Sequence, residues 1–200
     1  MADKQGRGAV RGPGRPREER VTGAALDAVV ALVAERGMSA VTMDAVAERA
    51  GVSKPAIYRR WAAKQELIIA AAEARIGELS IPDRGDFRAE LRELLTARME
   101  SYCQPGVDRL LAGVIGASAE ADADRGAYGA YSSRVMGETR RILERGIERG
   151  DVRPDTDVRS VATMVAAPMV FRLVGELEPP DRHLVEAVVE LVARAVGVPH

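Results

Sequence analysis

One cysteine among 200 residues excludes an internal disulfide and fits a reducing compartment best. Aromatic residues make up only 4%, and strand-typical Tyr, Phe and Ile are scarce, which argues against a β fold. Two histidines, His183 and His200, leave no Ser-His-Asp set and no histidine-based metal site. His183 and Glu186 have helical spacing, but two ligands do not make a site. No glycine motif of the phosphate-cradling kind occurs, so the sequence implies no enzyme, no cofactor and no metal. No run of about 18 apolar residues spans a bilayer. The basic N-terminus has no apolar stretch behind it before Ala24 to act as a signal peptide, so the chain reads as soluble and cytoplasmic.

What is present points to helices. Hydrophobic residues reach 46%, and Ala, Val, Leu, Glu and Arg dominate, all but Val good helix formers. The net charge of −1 hides an asymmetry: residues 1–70 hold 12 basic against 8 acidic side chains, and residues 71–200 hold 17 against 22. A basic head on an acidic body suits a nucleic-acid reader. Residues 1–17 carry four Gly, two Pro and almost no large apolar group, too little to offset ordering entropy, and read as a disordered basic tail.

A helix is expected from Glu18 to Arg36, with Leu26, Val29, Val30 and Val33 on one face and Gly37 as its stop. Helices at 43–50 and 54–61 follow, capped by Thr42 and Ser53, with Pro55 tolerated in a first turn. Further helices are expected near 64–79, 86–103, 106–121, 125–149, 157–176 and 181–196, about nine in all. Pro168 is expected to kink or break the helix that contains it.

The most informative stretch is Thr42–Trp61, TMDAVAERAGVSKPAIYRRW. Ala47 is small enough for two helices to pack closely, Gly51 suits a tight turn, and Ile57 anchors the second helix, with Val46 and Val52 as further apolar contacts. The short Gly51-Val52-Ser53 link matches a helix-turn-helix. Its second helix carries Lys54, Ala56, Arg59 and Arg60, short or basic groups suited to a major groove.

The stretch from Ala24 to Leu67 resembles the N-terminal domain of TetR-family regulators. The resemblance rests on Ala50-Gly51-Val52-Ser53, the Ile57-Tyr58 pair, an aromatic at Trp61 where the family more often has Phe, and Lys64 before Leu67. It implies that Thr42 and Ser53 contact phosphates, that Lys54, Pro55 and Ala56 approach base edges, and that Tyr58 reaches a phosphate or a thymine methyl. Lys64 would contact the DNA backbone, and only one of Arg59 and Arg60, Arg59 being the candidate, can point well into the groove. In the tail, Gly14-Arg15-Pro16-Arg17 resembles an AT-hook core, in which Arg15 and Arg17 would enter the minor groove.

The same resemblance makes the whole an all-α protein of three units: the tail 1–17, a three-helix helix-turn-helix DNA-binding domain at 18–63, and a helical ligand-binding and dimerisation domain at 64–200. Met99, Tyr102, Cys103, Leu110, Tyr128, Tyr131, Met164 and Phe171 are the candidates to line a pocket for a largely apolar small-molecule effector. Val161 and Val165 on one C-terminal helix, with Val185, Val188 and Val192 on the next, are the expected homodimer interface. The expected function is a repressor released from a palindromic double-stranded DNA operator by an inducer, with no membrane partner. The alternative is an architectural, nucleoid-type DNA-binding protein, and behind it an uncharacterised helical enzyme.

Overall fold

The computed structural model describes the backbone of residues 15–120 and 122–197, and the side chains of residues 18–116 and 129–197. Ten α-helices and one 3-10 turn occur among them. The first helix, α1 (Arg15–Arg36), starts three residues before the expected Glu18, so Arg15 and Arg17 lie in its first turn rather than in an extended tail. Their side chains and residues 1–14 lie outside the described residues. Pro16 fits there because N–H groups of a first turn have no helical acceptor.

A 3-10 turn (Met38–Ala40) leads to α2 (Met43–Ala50) and α3 (Lys54–Tyr58). Ala25, Ala28, Val29, Leu32 and Val33 of α1 are buried at spacings of three and four. They pack with Val46 and Ala47 of α2 and with Leu67, Ile68, Ala71 and Ala72 of α4 (Lys64–Ile76). The helix α4 packs on α6 and α7 as well as α1, so it belongs to the head and the body alike.

The body comprises α5 (Phe87–Tyr102), α6 (Val107–Glu120), α7 (Asp122–Val135), α8 (Gly137–Arg149), α9 (Val158–Val174) and α10 (Arg182–Val196). The segment expected as one helix over 125–149 is two, divided at Met136 directly before Gly137, a residue of low helix propensity. Pro168 neither ends nor divides α9. The core of the body forms where α5 packs between α8 and α10, and α9 closes it against α6, α8 and α10.

A buried ionic cluster joins the α4–α5 connection to α8. Glu90 is fully buried and pairs with Arg145 at 2.9 Å and Arg149 at 3.1 Å, while accepting from the N–H of Arg84 at 3.0 Å. Glu138, also buried, accepts from the N–H of Ile81 at 2.7 Å and pairs with Arg141 at 2.6 Å. The connection is thereby fixed at both of these backbone N–H groups, which would otherwise need water or a helix to satisfy them.

Candidate nucleic-acid interface

The turn between α2 and α3 depends on one glycine. Gly51 has φ 64° and ψ 33°, the left-handed region that side chains other than Gly, Asn and Asp rarely adopt. Thr42 caps α2: its hydroxyl accepts from the N–H of Ala45 at 3.1 Å. Ser53 stands at the N-cap of α3 without a side-chain capping bond, so its hydroxyl is available outward.

The short helix α3 has an inner and an outer face. Ile57 is fully buried and Ala56 is 7% exposed, pinning the helix to the core. Ser53, Lys54, Pro55, Tyr58 and Arg59 are exposed, Tyr58 by 52%. Ala56 therefore corrects the expectation for it: a small side chain turned inward beside Ile57 has no surface left for a base edge. Arg60 also faces inward, donating to the Thr22 hydroxyl and the Ala56 carbonyl at 3.0 Å each and to the Glu18 carbonyl at 3.3 Å. Those bonds tie α3 to α1 and leave Arg59, of the adjacent pair, facing solvent.

Charge on the outer face is partly held in reserve. The Lys54 ammonium pairs with Asp44 of α2 at 2.6 Å, with both side chains more than half exposed. Lys64, half-buried, opens α4. Behind the face, Arg49 and Glu35 form a two-pronged pair at 2.7 and 2.5 Å, and its hydrogen bonds hold the Glu35 carboxyl below the usual carboxylate range. Arg75 pairs with Asp27 at 2.6 Å and locks α4 to α1. The assembled surface can place hydroxyl, ammonium, phenol and guanidinium donors along one short helix, which is the equipment for phosphate and base-edge contacts.

In the body the expected pocket residues separate. Tyr102, Leu110 and Tyr131 are buried together in the core, and Met99 packs against it. The side chain of Tyr128, on α7, lies outside the described residues. Cys103 is exposed at the end of α5, with its thiol 3.6 Å from the Pro180 carbonyl. Met164 and Phe171 are each 63% exposed on the outer face of α9, so neither lines an interior site. The reason is register: both fall on the face opposite Ala162, Val165, Met169 and Leu173, which are buried.

The expected interface valines are corrected by the same observation. Val165, Val185, Val188 and Val192 are 1 to 8% exposed within the single chain and have almost no surface to offer a partner, while Val161 is half-buried. The exposed large apolar side chains of these helices are instead Met164 and Phe171 on α9 and Leu191 on α10, two helices in contact. Sequence reading missed Arg98, which is 6% exposed in the middle of the core. Its signal was its spacing, since it shares a face with Leu91, Leu94 and Tyr102.

This fold and this face define a helix-turn-helix regulator with a helical partner domain. Residues 25–71 match the family described as bacterial regulatory proteins, tetR family, and residues 81–192 match the tetracyclin repressor-like C-terminal domain. The chain belongs to the TetR family of transcriptional regulators, DNA-binding proteins of the helix-turn-helix type. It is 29% identical over 167 residues to the uncharacterized HTH-type transcriptional regulator YdeS of Bacillus subtilis, covering 80% of this chain and 81% of YdeS. It is 33% identical to the HTH-type transcriptional regulator AqdR of Rhodococcus erythropolis, over 68% of this chain and 66% of AqdR. The TetR family transcription regulator SCO0332 superposes with a TM-score of 0.69 at 29% identity, over 90% of this chain and all of SCO0332. No helix among the described residues is long and apolar enough to cross a membrane.

Proposed function

We propose that this chain works in the cytoplasm as a homodimeric repressor that reads a palindromic operator and is released from it by a small-molecule inducer. The observation that carries the reading is the split of α3 into a buried Ala56–Ile57 side and an exposed Ser53, Lys54, Pro55, Tyr58 and Arg59 side. Such a helix is rigidly held and fully presented, as a major-groove reader must be. Thr42, whose hydroxyl caps α2, and Lys64, at the start of α4, would add backbone contacts on either side.

Two copies are required because one α3 is five residues long and reads too few base pairs alone. The exposed Met164, Phe171 and Leu191 on adjoining helices supply the apolar surface that a second copy would cover. Glu18 and Arg20 line one groove with Arg59, so the N-terminus of α1 lies beside the reading helix. Arg15 and Arg17, in the first turn of α1, would add minor-groove or phosphate contacts there. Coupling to an inducer would run through α4, which touches both the head and the body.

The test is selection of sequences from random duplex DNA by the full chain, followed by mobility shifts with variants. Tyr58→Ala and Arg59→Ala should each weaken the selected site by about tenfold, the size of a base or phosphate contact, with unchanged melting temperature. Selection of no consensus, or full affinity in both variants, contradicts the reading.

A further inference from the structure

A buried guanidinium with no counter-charge among the described residues is the least explained group in the body. Arg98 lies on α5 at 6% exposure and makes no ion pair among the described residues. Its Nη1 donates to the carbonyls of Ile76 and Gly77, the latter at 3.1 Å, and its Nη2 has no hydrogen-bond partner. Removing a charge from water and leaving part of it unsatisfied is costly, and an arginine does not escape the cost by losing its proton. Burial accordingly pushes its pKa below the ordinary arginine value.

The described surroundings are apolar core with two tyrosines rather than a structural ion pair. Arg98 shares the inner face of α5 with Leu91, Leu94 and Tyr102, and Tyr131 is buried in the same core. One cation and two phenols in an apolar core form the few convergent polar groups that orient a mostly apolar ligand. The cleft lined by Arg88, Arg153 and Arg194 is a weaker candidate, because Glu190 pairs with Arg88 and Arg194, and Asp155 with Arg153.

We propose that the effector is an apolar carboxylic acid, whose carboxylate seats on the Arg98 guanidinium in the core that also holds Tyr102 and Tyr131. This rests on the ligand-released regulator reading above and names the chemical class of that ligand. The planar guanidinium offers parallel N–H donors that match a carboxylate, and the apolar core takes the rest of the molecule. The two carbonyls that Arg98 now holds end α4, the helix that begins beside the DNA-reading face. A carboxylate competing for the guanidinium would draw it away from Ile76 and Gly77 and free the end of α4. Binding and release of DNA are thereby linked through one side chain.

The experiment titrates the full chain with octanoate, decanoate and phenylacetate, and with their methyl esters, by calorimetry and thermal shift. At least one acid should bind ten times or more tighter than its ester. Arg98→Gln should abolish that preference, and Arg98→Lys should keep part of it. No binding by any of the acids, ester binding equal to acid, or an undiminished preference in Arg98→Gln overturns the proposal. Should Arg98→Gln fail to fold by circular dichroism, the wild-type ratio and Tyr131→Phe, expected to narrow it, decide. Mobility shifts without any compound are read separately. If the wild-type chain binds no operator, the regulator reading falls while the acid preference still stands or falls on its own.

Discussion

Lys54 and Asp44 set a balance at the tip of the reading helix. Their 2.6 Å pair is exposed on both sides, so it adds between zero and about 1 kcal/mol to stability, yet it occupies the ammonium that a phosphate would take. Asp44→Asn should therefore leave the melting temperature nearly unchanged and tighten DNA binding several-fold. It should also steepen the salt dependence, by a slope of up to about one further released counterion. Anisotropy titrations at three salt concentrations measure both, and weaker binding would show that Asp44 serves as more than a competitor. Two positions away from Lys54, Ala56 behaves oppositely. It is 7% exposed, so Ala56→Leu should cost about 1–3 kcal/mol by overpacking, read as a lowered denaturation midpoint. A stability unchanged by that substitution would mean that α3 is held less tightly than its burial indicates.

Helices and their caps were the most legible level. Thr42, Gly51 and the bounds of α2 follow from local chemistry, and the structure has them as the residue types demand. Charged residues inside helices were not legible by type, because Glu90 and Arg98 look like members of a solvated face. Their spacing tells otherwise, with Glu90 between Phe87 and Leu94 and Arg98 four residues before Tyr102, all of them buried. The C-terminal stripes misled for a related reason: α9 and α10 carry apolar residues on two faces. Periodicity alone does not say which face a second copy would cover. The division at Met136 escaped notice because Gly137 is a weak breaker with no proline beside it. At this scale the Glu90 cluster is the element most exposed to test. Glu90→Ala leaves Arg145 and Arg149 without their buried partner and frees the Arg84 N–H, and should cost about 3–5 kcal/mol in urea unfolding. A loss under about 1 kcal/mol would show that the cluster does not hold the α4–α5 connection to α8.

Across the whole molecule, acid acts through carboxylates that folding holds below their ordinary values. Glu35 is held low by Arg49, Glu93 by Arg84, Glu186 by Arg92 and Glu190 by Arg194, against an ordinary 4.5. Asp83 is lowered by the Gly85 N–H and Asp157 by the Ser160 hydroxyl, against an ordinary 3.8. A depressed carboxylate stabilises the fold above its unfolded value and loses that contribution as pH falls through the folded one. The melting temperature should stay level from about pH 7 to 5 and drop below about 4.5. A decline that begins near neutrality would point to other groups.

The central claim is that two exposed α3 faces, joined through the body, read one symmetric site. Footprinting of the full chain on duplex DNA holding the selected sequence tests it most directly, with Phe171→Glu/Leu191→Glu as the comparison. The wild type should protect a single palindrome whose half-sites lie about one or two helical turns apart on one face of the duplex. The double variant, monomeric by sedimentation, should lose that footprint while keeping its melting profile. Uniform protection without a discrete site, or an intact footprint from the monomeric variant, would contradict the account.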